Sequence, residues 1–474
     1  MSADMGANTS DIRPRKVALL IRNAHVITVD ADLKEYADGY VAVDDGQIVG
    51  VGASKELEGK FEAEQVHDAG GKMCLPGLIN AHMHPAFYLV TPKFASLDQS
   101  EPGLLSRGGK MGQFLALFGR VDHIGITEDE TYLGALAGLV RMLRTGSTCV
   151  NDGGFGKLTG IANAIQDSGL RGIATYGGGG DLAHGADGSP PTRMGDVDVL
   201  LGDILEEFDR WHGSYGGRIR CWFNVPTDLN GSDEYWTEVK RLAEARQVGI
   251  SSHVATVATH DEMSMAMFGK RGIPRLADLG VLGPNWQGIH MGFVNDQEIE
   301  ILKESDASIA HCPATSMGSG KGIFGVGSIP KMVDRGVTVA LGSDSPQWGD
   351  MIQQMQLAYY GHKDAAQDDL IFSPYEVLDM ATRSAAKSLL WDDEIGTIEV
   401  GKKADLTLIS FDNLRYASLP HPLLGLMRAG HGGDVDTVIV EGKILMADKT
   451  LCVVDEEKVM ADAAQATQSL LSRF

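Results

Sequence analysis

The chain has 474 residues, which exceeds a single average domain and accommodates a barrel core of roughly 250 residues with a second unit beside it. Its formal net charge of −23 argues against nucleic acid or an anionic membrane as a partner, since both need basic patches, and solubility alone accounts for it. Five cysteines (Cys74, Cys149, Cys221, Cys312 and Cys452) lack pairing spacing and read as buried thiols of a reducing compartment. No apolar run approaches a membrane span, and the start Met1-Ser2-Ala3-Asp4 lacks a signal-peptide core, so a cytoplasmic protein is expected.

Residues 1–16 are polar and read as a mobile arm. Residues 17–72 carry short β segments, Ala18 to Ile27, Gly39 to Val43 and Gln47 to Val51, punctuated by Asp45-Gly46 and Gly70-Gly71 as hairpins require. Strand candidates follow at 74–84, 147–152, 171–177, 218–225, 248–254, 286–291, 307–312 and 337–344. Helix-like spacing of apolar residues stands between them at Asp129 to Arg144, Val197 to His212, Glu234 to Gln247 and Asp296 to Glu304. Eight strands alternating with helices is the pattern of a closed parallel barrel, an α/β fold of the (β/α)8 TIM type, although periodicity alone does not separate it from an open doubly wound sheet. β texture returns after residue 396, in Ala404 to Ile409 and Thr437 to Lys443. Residues 17–72 and 397–452 are therefore expected to form one small β-sandwich domain from both chain ends, flanking a barrel of residues 73–396. A helix is expected over 453–474.

The residues that carry chemistry stand at strand ends. His82-Met83-His84 closes the apolar run Cys74 to Ala81, and Pro85 stops the strand. Side chains two apart on a strand share a face, so both imidazoles can reach one metal ion. His253 ends the run Val248 to Ser252, and His290 ends Trp286 to Ile289. His311 follows Ala307 to Ala310, and Asp344 follows Val337 to Ser343. One such histidine is most often a hydrogen-bonded structural residue. Five strand ends carrying such groups point instead to a site, at the C-terminal end of the barrel strands where active sites of this fold gather. Ligands from the first, fifth, sixth and eighth strands converge only if the first and eighth are neighbours, which favours the closed barrel.

Pro76-Gly77-Leu78-Ile79-Asn80-Ala81-His82-Met83-His84 resembles the first-strand signature of the amidohydrolase superfamily. His311-Cys312-Pro313, Leu341-Gly342-Ser343-Asp344 and the tail Gly396 to Leu406 resemble its later signatures, in the right order, from about residue 18 to 445. The texture is most similar to the branch that holds triazine and nucleobase deaminases and the phenylurea and thiocarbamate hydrolases. The resemblance implies that His82, His84, His253 and Asp344 hold one divalent metal ion per subunit, zinc before iron, cobalt or manganese. It further implies that His290 touches the substrate or the metal-bound water and that His311 lines the pocket.

The chain departs from that pattern in ways that bear on the substrate. Deaminases of the branch carry glutamate three residues after the fifth-strand histidine, where it protonates a ring nitrogen; here that position is Thr256. Only His260 or Asp261 stands nearby in sequence as a replacement. The segment after Pro313 runs Ala314-Thr315-Ser316 in place of an asparagine-containing one. The fourth strand, Arg218 to Val225, has no lysine that could be carboxylated to bridge two metals, and no arginine follows the histidine pair. Phe87, Tyr88, Phe94, Phe155, Tyr176, Phe293 and Trp348 are candidates for the mouth, with Phe87, Phe155, Phe293 and Trp348 taken as substrate contacts. Lys157 is the nearest cation to a strand end. The run Gly177 to Gly180 lacks the lysine of a phosphate loop and suits a close approach of backbone to the pocket.

The expected activity is hydrolysis of an uncharged, fairly apolar small molecule. The bond is an amide-like C–N bond of an anilide, urea or carbamate, or the C–S bond of a thiocarbamate. In that scheme the metal acidifies a water toward a pKa of about 7. Asp344 accepts the water proton and passes it to the leaving group, and His290 hydrogen-bonds the carbonyl oxygen. The alternative is hydrolytic deamination or dehalogenation of an N-heterocycle such as an aminotriazine or nucleobase. A more remote one is a barrel retained as an inactive scaffold. A small-molecule substrate and a homo-oligomer are expected, without nucleic acid or membrane.

Overall fold

The computed structural model describes residues 14–92, 125–176, 179–183 and 191–473. Residues 1–13 of the expected arm, Phe94, Gly177, Gly178 and Phe474 lie outside the described residues. Arg15 and Lys16 are not part of an arm: they open a strand, Arg15–Ile27.

Eight strands form the barrel: Leu78–Met83, Ser147–Asp152, Arg171–Thr175, Ile219–Thr227, Ile250–Val254, Trp286–His290, Ser308–His311 and Thr338–Leu341. Each pairs in parallel with the next in chain order. The ring closes where the first strand meets the chain after the eighth, through a parallel bridge between Met83 and Asp344. The amides of Ser343 and Asp344 both donate to the His82 carbonyl, at 3.0 and 2.9 Å, and the His84 amide donates to the Asp344 carbonyl at 3.0 Å. Gly342 permits this approach: a Cβ there would stand 2.9 Å from the backbone N and O of His82. The Asn80 side chain locks the seam, donating to Ser343 Oγ at 2.8 Å and accepting from the Ser343 amide at 3.0 Å.

The helices anticipated from apolar spacing appear as Glu128–Arg144, Val197–Trp211, Asp233–Arg246 and Asp296–Glu304. Each begins at a side chain that accepts a free first-turn amide: Thr127, Asp196, Ser232 and Asn295. At Thr127 and Asn295 a glutamate three residues on completes a capping box. The terminal helix Glu456–Leu471 lies on the first of these, tied by Arg144 to Glu456 and by Arg473 to Glu130 at 2.7 Å.

Both chain ends build a separate sheet of nine strands, in which Leu406–Ile409 and Val435–Val440 join the strands that precede the barrel. It encloses its own core, with Ile21, Val26, Val41, Ile48, Leu406, Leu408 and Ile439 fully buried. The single strand expected at 74–84 is two. Met73–Pro76 pairs with Leu406–Ile409 in the chain-end sheet, and the barrel strand starts at Leu78 after the turn at Gly77. Apolar residues fill both pieces, so periodicity carried no mark of the change of sheet. Four of the five cysteines are buried, as anticipated, but Cys452 is exposed. Among the described residues no helix is long and apolar enough to cross a membrane.

The two units are joined by a buried ion pair. Arg171, at the start of the third barrel strand, donates to Asp405 through Nε at 2.8 Å and through a terminal nitrogen at 3.3 Å, and reaches Glu441 at 3.2 Å. Asp405 also accepts the Glu441 amide at 2.9 Å. The guanidinium is wholly out of solvent, so Asp405→Ala should leave its charge undercompensated and cost about 3–5 kcal/mol of stability. Urea unfolding at constant m-value measures this; a loss below about 1 kcal/mol would show that Glu441 alone suffices.

Candidate metal centre and active site

Closure of the barrel brings His82, His84, His253 and Asp344 together, with one donor atom from each lying within 4.8 Å of every other. His82 and His84 come from the end of the first strand, their rings 4.8 Å apart and nearly perpendicular. His253 comes from the fifth strand, its ring 4.9 Å from that of His82. Asp344 Oδ1 lies 3.2 Å from His82 Nε2 and 3.5 Å from His84 Nε2. Asp344 holds a left-handed backbone, φ 66°, and His290 does so at φ 68°. Non-glycine residues seldom adopt this region, and such strain collects at functional sites.

The donor chemistry fits a divalent cation. His253 donates from Nδ1 to the Pro226 carbonyl at 2.7 Å, which fixes the tautomer that leaves an Nε2 lone pair free. Burial and the neighbouring His82 push His253 down to about 3 and His84 well below the usual histidine range, so both are neutral imidazoles at pH 7. Burial opposes the charge on Asp344, yet the His82 hydrogen bond and the neighbouring His290 and Lys321 hold its carboxyl well below the usual range. Three imidazoles and one carboxylate make an ordinary zinc donor set.

His290 stands beside this set and outside it. Its ring lies 5.4 Å from His253, and its Nε2 is 3.9 Å from Asp344 Oδ2. That nitrogen accepts a hydrogen bond from Lys321 Nζ at 3.0 Å. Burial and Lys321 drive His290 well below its ordinary value, so it is neutral with the proton on Nδ1. In this tautomer the Nε2 of His290 is an acceptor, and the donor expected of His290 is supplied by Lys321. Burial lowers the Lys321 ammonium below the usual lysine range, with Asp344 pulling the other way. Lys321 was not among the sequence candidates, which had Lys157 as the nearest cation to a strand end. The visible signal was Gly320-Lys321-Gly322 ten residues beyond His311; both glycines have positive φ, at 63° and 82°, and turn the lysine inward.

The remaining candidates divide. Phe87 stacks on His84 at 4.3 Å and 12°, and Phe155 meets Phe87 edge-on at 4.6 Å, forming an apolar ledge against the metal residues. Trp348 lies against Gly318, on the segment that leads to Lys321. Phe293 bonds its amide to Ala255 at 3.1 Å and packs on the barrel core, as Tyr88 and Tyr176 do. His311 pairs with His362, Nε2 to Nε2 at 3.1 Å, and Phe324 packs on its ring. His362 lies on a helix, Met351–Ala366. Thr256 is buried, and its hydroxyl has no partner among the described residues. His260 pairs with Asp228 at 2.6 Å and Asp261 with Arg271 at 2.7 Å, so both sequence candidates for a proton donor are already engaged. Lys157 only starts a helix.

A second group, His25, Glu35 and His421, also lies within 4.8 Å. His421 Nδ1 accepts the Leu423 amide at 3.2 Å, so its Nε2 carries the proton and donates to Glu35 at 2.9 Å. With Tyr375 donating to the other Glu35 oxygen at 2.7 Å, this is a hydrogen-bonded tie between the chain-end sheet and the barrel helices.

The amidohydrolase family model matches residues 73–445. The chain belongs to the amidohydrolase family. It is 31% identical over 462 residues to a 5'-deoxyadenosine deaminase of Methanosarcina mazei, covering 96% of this chain and 99% of that protein. A zinc-bound adenosine deaminase from Xanthomonas campestris superposes with TM-score 0.83 at 24% identity, over 97% of this chain and 100% of that one. A zinc complex of atrazine chlorohydrolase from Arthrobacter aurescens gives TM-score 0.82 at 22% identity, over 95% and 100%. This amidohydrolase is thus a metal-dependent hydrolase with its donor set whole, which overturns the scaffold alternative.

Gly153 follows the second barrel strand and lies against both first-strand histidines. A Cβ there would sit 2.5 Å from the Cε1 atoms of His82 and His84 and 2.7 Å from His84 Nδ1. Gly153→Ala should therefore splay the pair and weaken metal binding by about 10–100-fold, read by competition with a chromophoric chelator. The unaltered chain should carry one ion after dialysis, by elemental analysis. A stable ratio of two, with activity following the second ion, would contradict the single-site geometry.

Proposed function

We propose that this amidohydrolase is a hydrolytic deaminase of an aminated N-heterocycle, a flat, uncharged ring whose exocyclic amine is replaced by oxygen with release of ammonia. The observation that carries the reading is the placement of one carboxylate, Asp344, against three imidazoles beside an aromatic ledge. It is supported by near full-length similarity to a protein named as a deaminase. A divalent ion held by His82, His84, His253 and Asp344 would acidify a water molecule near neutral pH. Asp344 accepts a proton from the attacking water as the C–O bond forms, and returns it to the amine as the C–N bond breaks. Phe87 and Phe155 offer the ring a flat apolar surface and keep water from its face.

Thr256 favours a second reading. A hydroxyl cannot serve as the proton-shuttling carboxylate, whereas a carbonyl needs no ring proton. Anilides, ureas, carbamates and thiocarbamates are therefore the competing substrates. Incubating the metal-loaded protein with aminopyrimidines, aminotriazines and adenine nucleosides on one side, and with those carbonyl compounds on the other, separates the two. Ammonia release from a heterocycle should be the faster reaction; faster cleavage of any carbonyl compound would reverse the assignment. Asp344→Asn keeps an oxygen donor but loses the proton acceptor, so turnover should fall by roughly 10²–10⁴-fold with metal still bound. A metal-loaded variant with near-normal turnover would remove Asp344 from proton transfer.

A further inference from the structure

We infer that Lys321 is the proton donor to the substrate's ring nitrogen, taking the part that the chain cannot assign to Thr256. The inference rests on the deaminase reading, whose unmet requirement is a donor facing the ring. Three observations on the site carry it. Lys321 Nζ reaches the centre from the loop after the seventh strand and ends 3.0 Å from His290 Nε2, which is itself 3.9 Å from Asp344 Oδ2. The ammonium and the carboxylate thus both stand beside the same ring nitrogen of one neutral imidazole. Lys321 has no carboxylate at ion-pair distance among the described residues, in contrast to Lys34, Lys240, Lys270 and Lys331, each of which is paired. A half-buried lysine whose hydrogen bond goes to an imidazole lone pair keeps N–H donors for a further acceptor. Finally, the other titratable groups near Thr256 are spent on Asp228 and Arg271.

Lys321 gives a proton to the ring nitrogen while water adds to the amine-bearing carbon and Asp344 takes one water proton, so the C–O bond forms and the ring C=N double bond becomes C–N–H. Asp344 then protonates the exocyclic amine, the C–N bond breaks and ammonia leaves. The hydroxyl proton released as the carbonyl forms restores the ammonium. A hydrogen bond from an ammonium to the ring also orients it, so Lys321 contributes to binding as well as to turnover.

The test compares two substrates. On a neutral aminoheterocycle, Lys321→Met should lose roughly 10²–10⁴-fold in kcat with a smaller change in KM. On the same ring carrying an N-methyl group at the acceptor nitrogen, which is already cationic and needs no proton, the loss should be under about threefold. Lys321→Arg keeps the charge but gives up its proton far less readily, and should follow Lys321→Met. A third readout is independent of turnover: equilibrium dialysis of the ring lacking its amine into metal-free protein should show binding about 10-fold weaker in Lys321→Met. Equal losses on both substrates would reduce Lys321 to a structural part, and an unchanged rate on the neutral ring would remove it from the reaction. Either result leaves the deaminase assignment standing. Wild-type protein that releases ammonia from no heterocycle overturns both.

Discussion

Two backbone amides sharing one carbonyl hold this site together. Ser343 and Asp344 both donate to His82, and His84 answers by donating to Asp344, so the last turn of the eighth strand is pinned to the metal-binding end of the first. The same bonds close the barrel. They also account for the left-handed backbone at Asp344: a strained residue persists only where its surroundings over-determine it, and here the peptide groups on both sides are committed. The carboxylate is delivered to its imidazole partners by the seam itself. Metal binding and closure are therefore coupled, since a ligand that binds only the closed ring stabilises it by mass action.

Much of this was legible in the sequence because it depends on short-range rules. Apolar runs ending in His82, His253, His290 and Asp344 gave the strands and their polarity, and convergence of those four ends required neighbours in a ring. Apolar spacing alone placed four helices whose ends stand within a residue of expectation. What was not legible depends on which way a loop or a ring turns. His311 closes its strand just as His290 does, yet its imidazole faces a helix and pairs with His362, whose spacing from it, fifty-one residues, gives no pattern. Lys321 lies in a loop ten residues beyond a strand end, where periodicity gives no direction and only the flanking glycines mark it. The change of sheet at Gly77 was hidden because buried strands of both sheets are apolar throughout.

The chain carries a large negative charge, yet His84, His253 and His290 in the centre are neutral imidazoles beside one carboxylate and one ammonium. Burial is the reason. Desolvation strips protons from His84, His253 and His290, and a neutral imidazole is the form that can ligate or accept a hydrogen bond. The surface charge sits on ion-paired and solvated groups far from this balance. On the deaminase reading, an apolar ledge beside such a centre would select by shape and by hydrogen-bond acceptors.

The spacing between Lys321 and Asp344 is set before any substrate arrives. Ala314, on the helix that leads to Lys321, donates its amide to Gln354 at 3.1 Å, and Gln354 donates in turn to the Trp348 carbonyl at 2.7 Å. Thr315 donates to the Ser343 carbonyl at 3.3 Å, beside Asp344, and the Lys321 amide returns to Ser316 at 2.9 Å. The loop after the seventh strand is thus bonded to the loop after the eighth at two separate places. Donor and acceptor of protons are carried by one hydrogen-bonded body, so neither has to be moved into place during the reaction. Preorganisation of this kind is the largest contribution a protein makes when charge develops in a water-poor site. It also explains why the seventh loop is rich in glycine and hydroxyl residues: the segment must turn sharply at Gly320 and Gly322 while Thr315 holds its neighbour by the backbone.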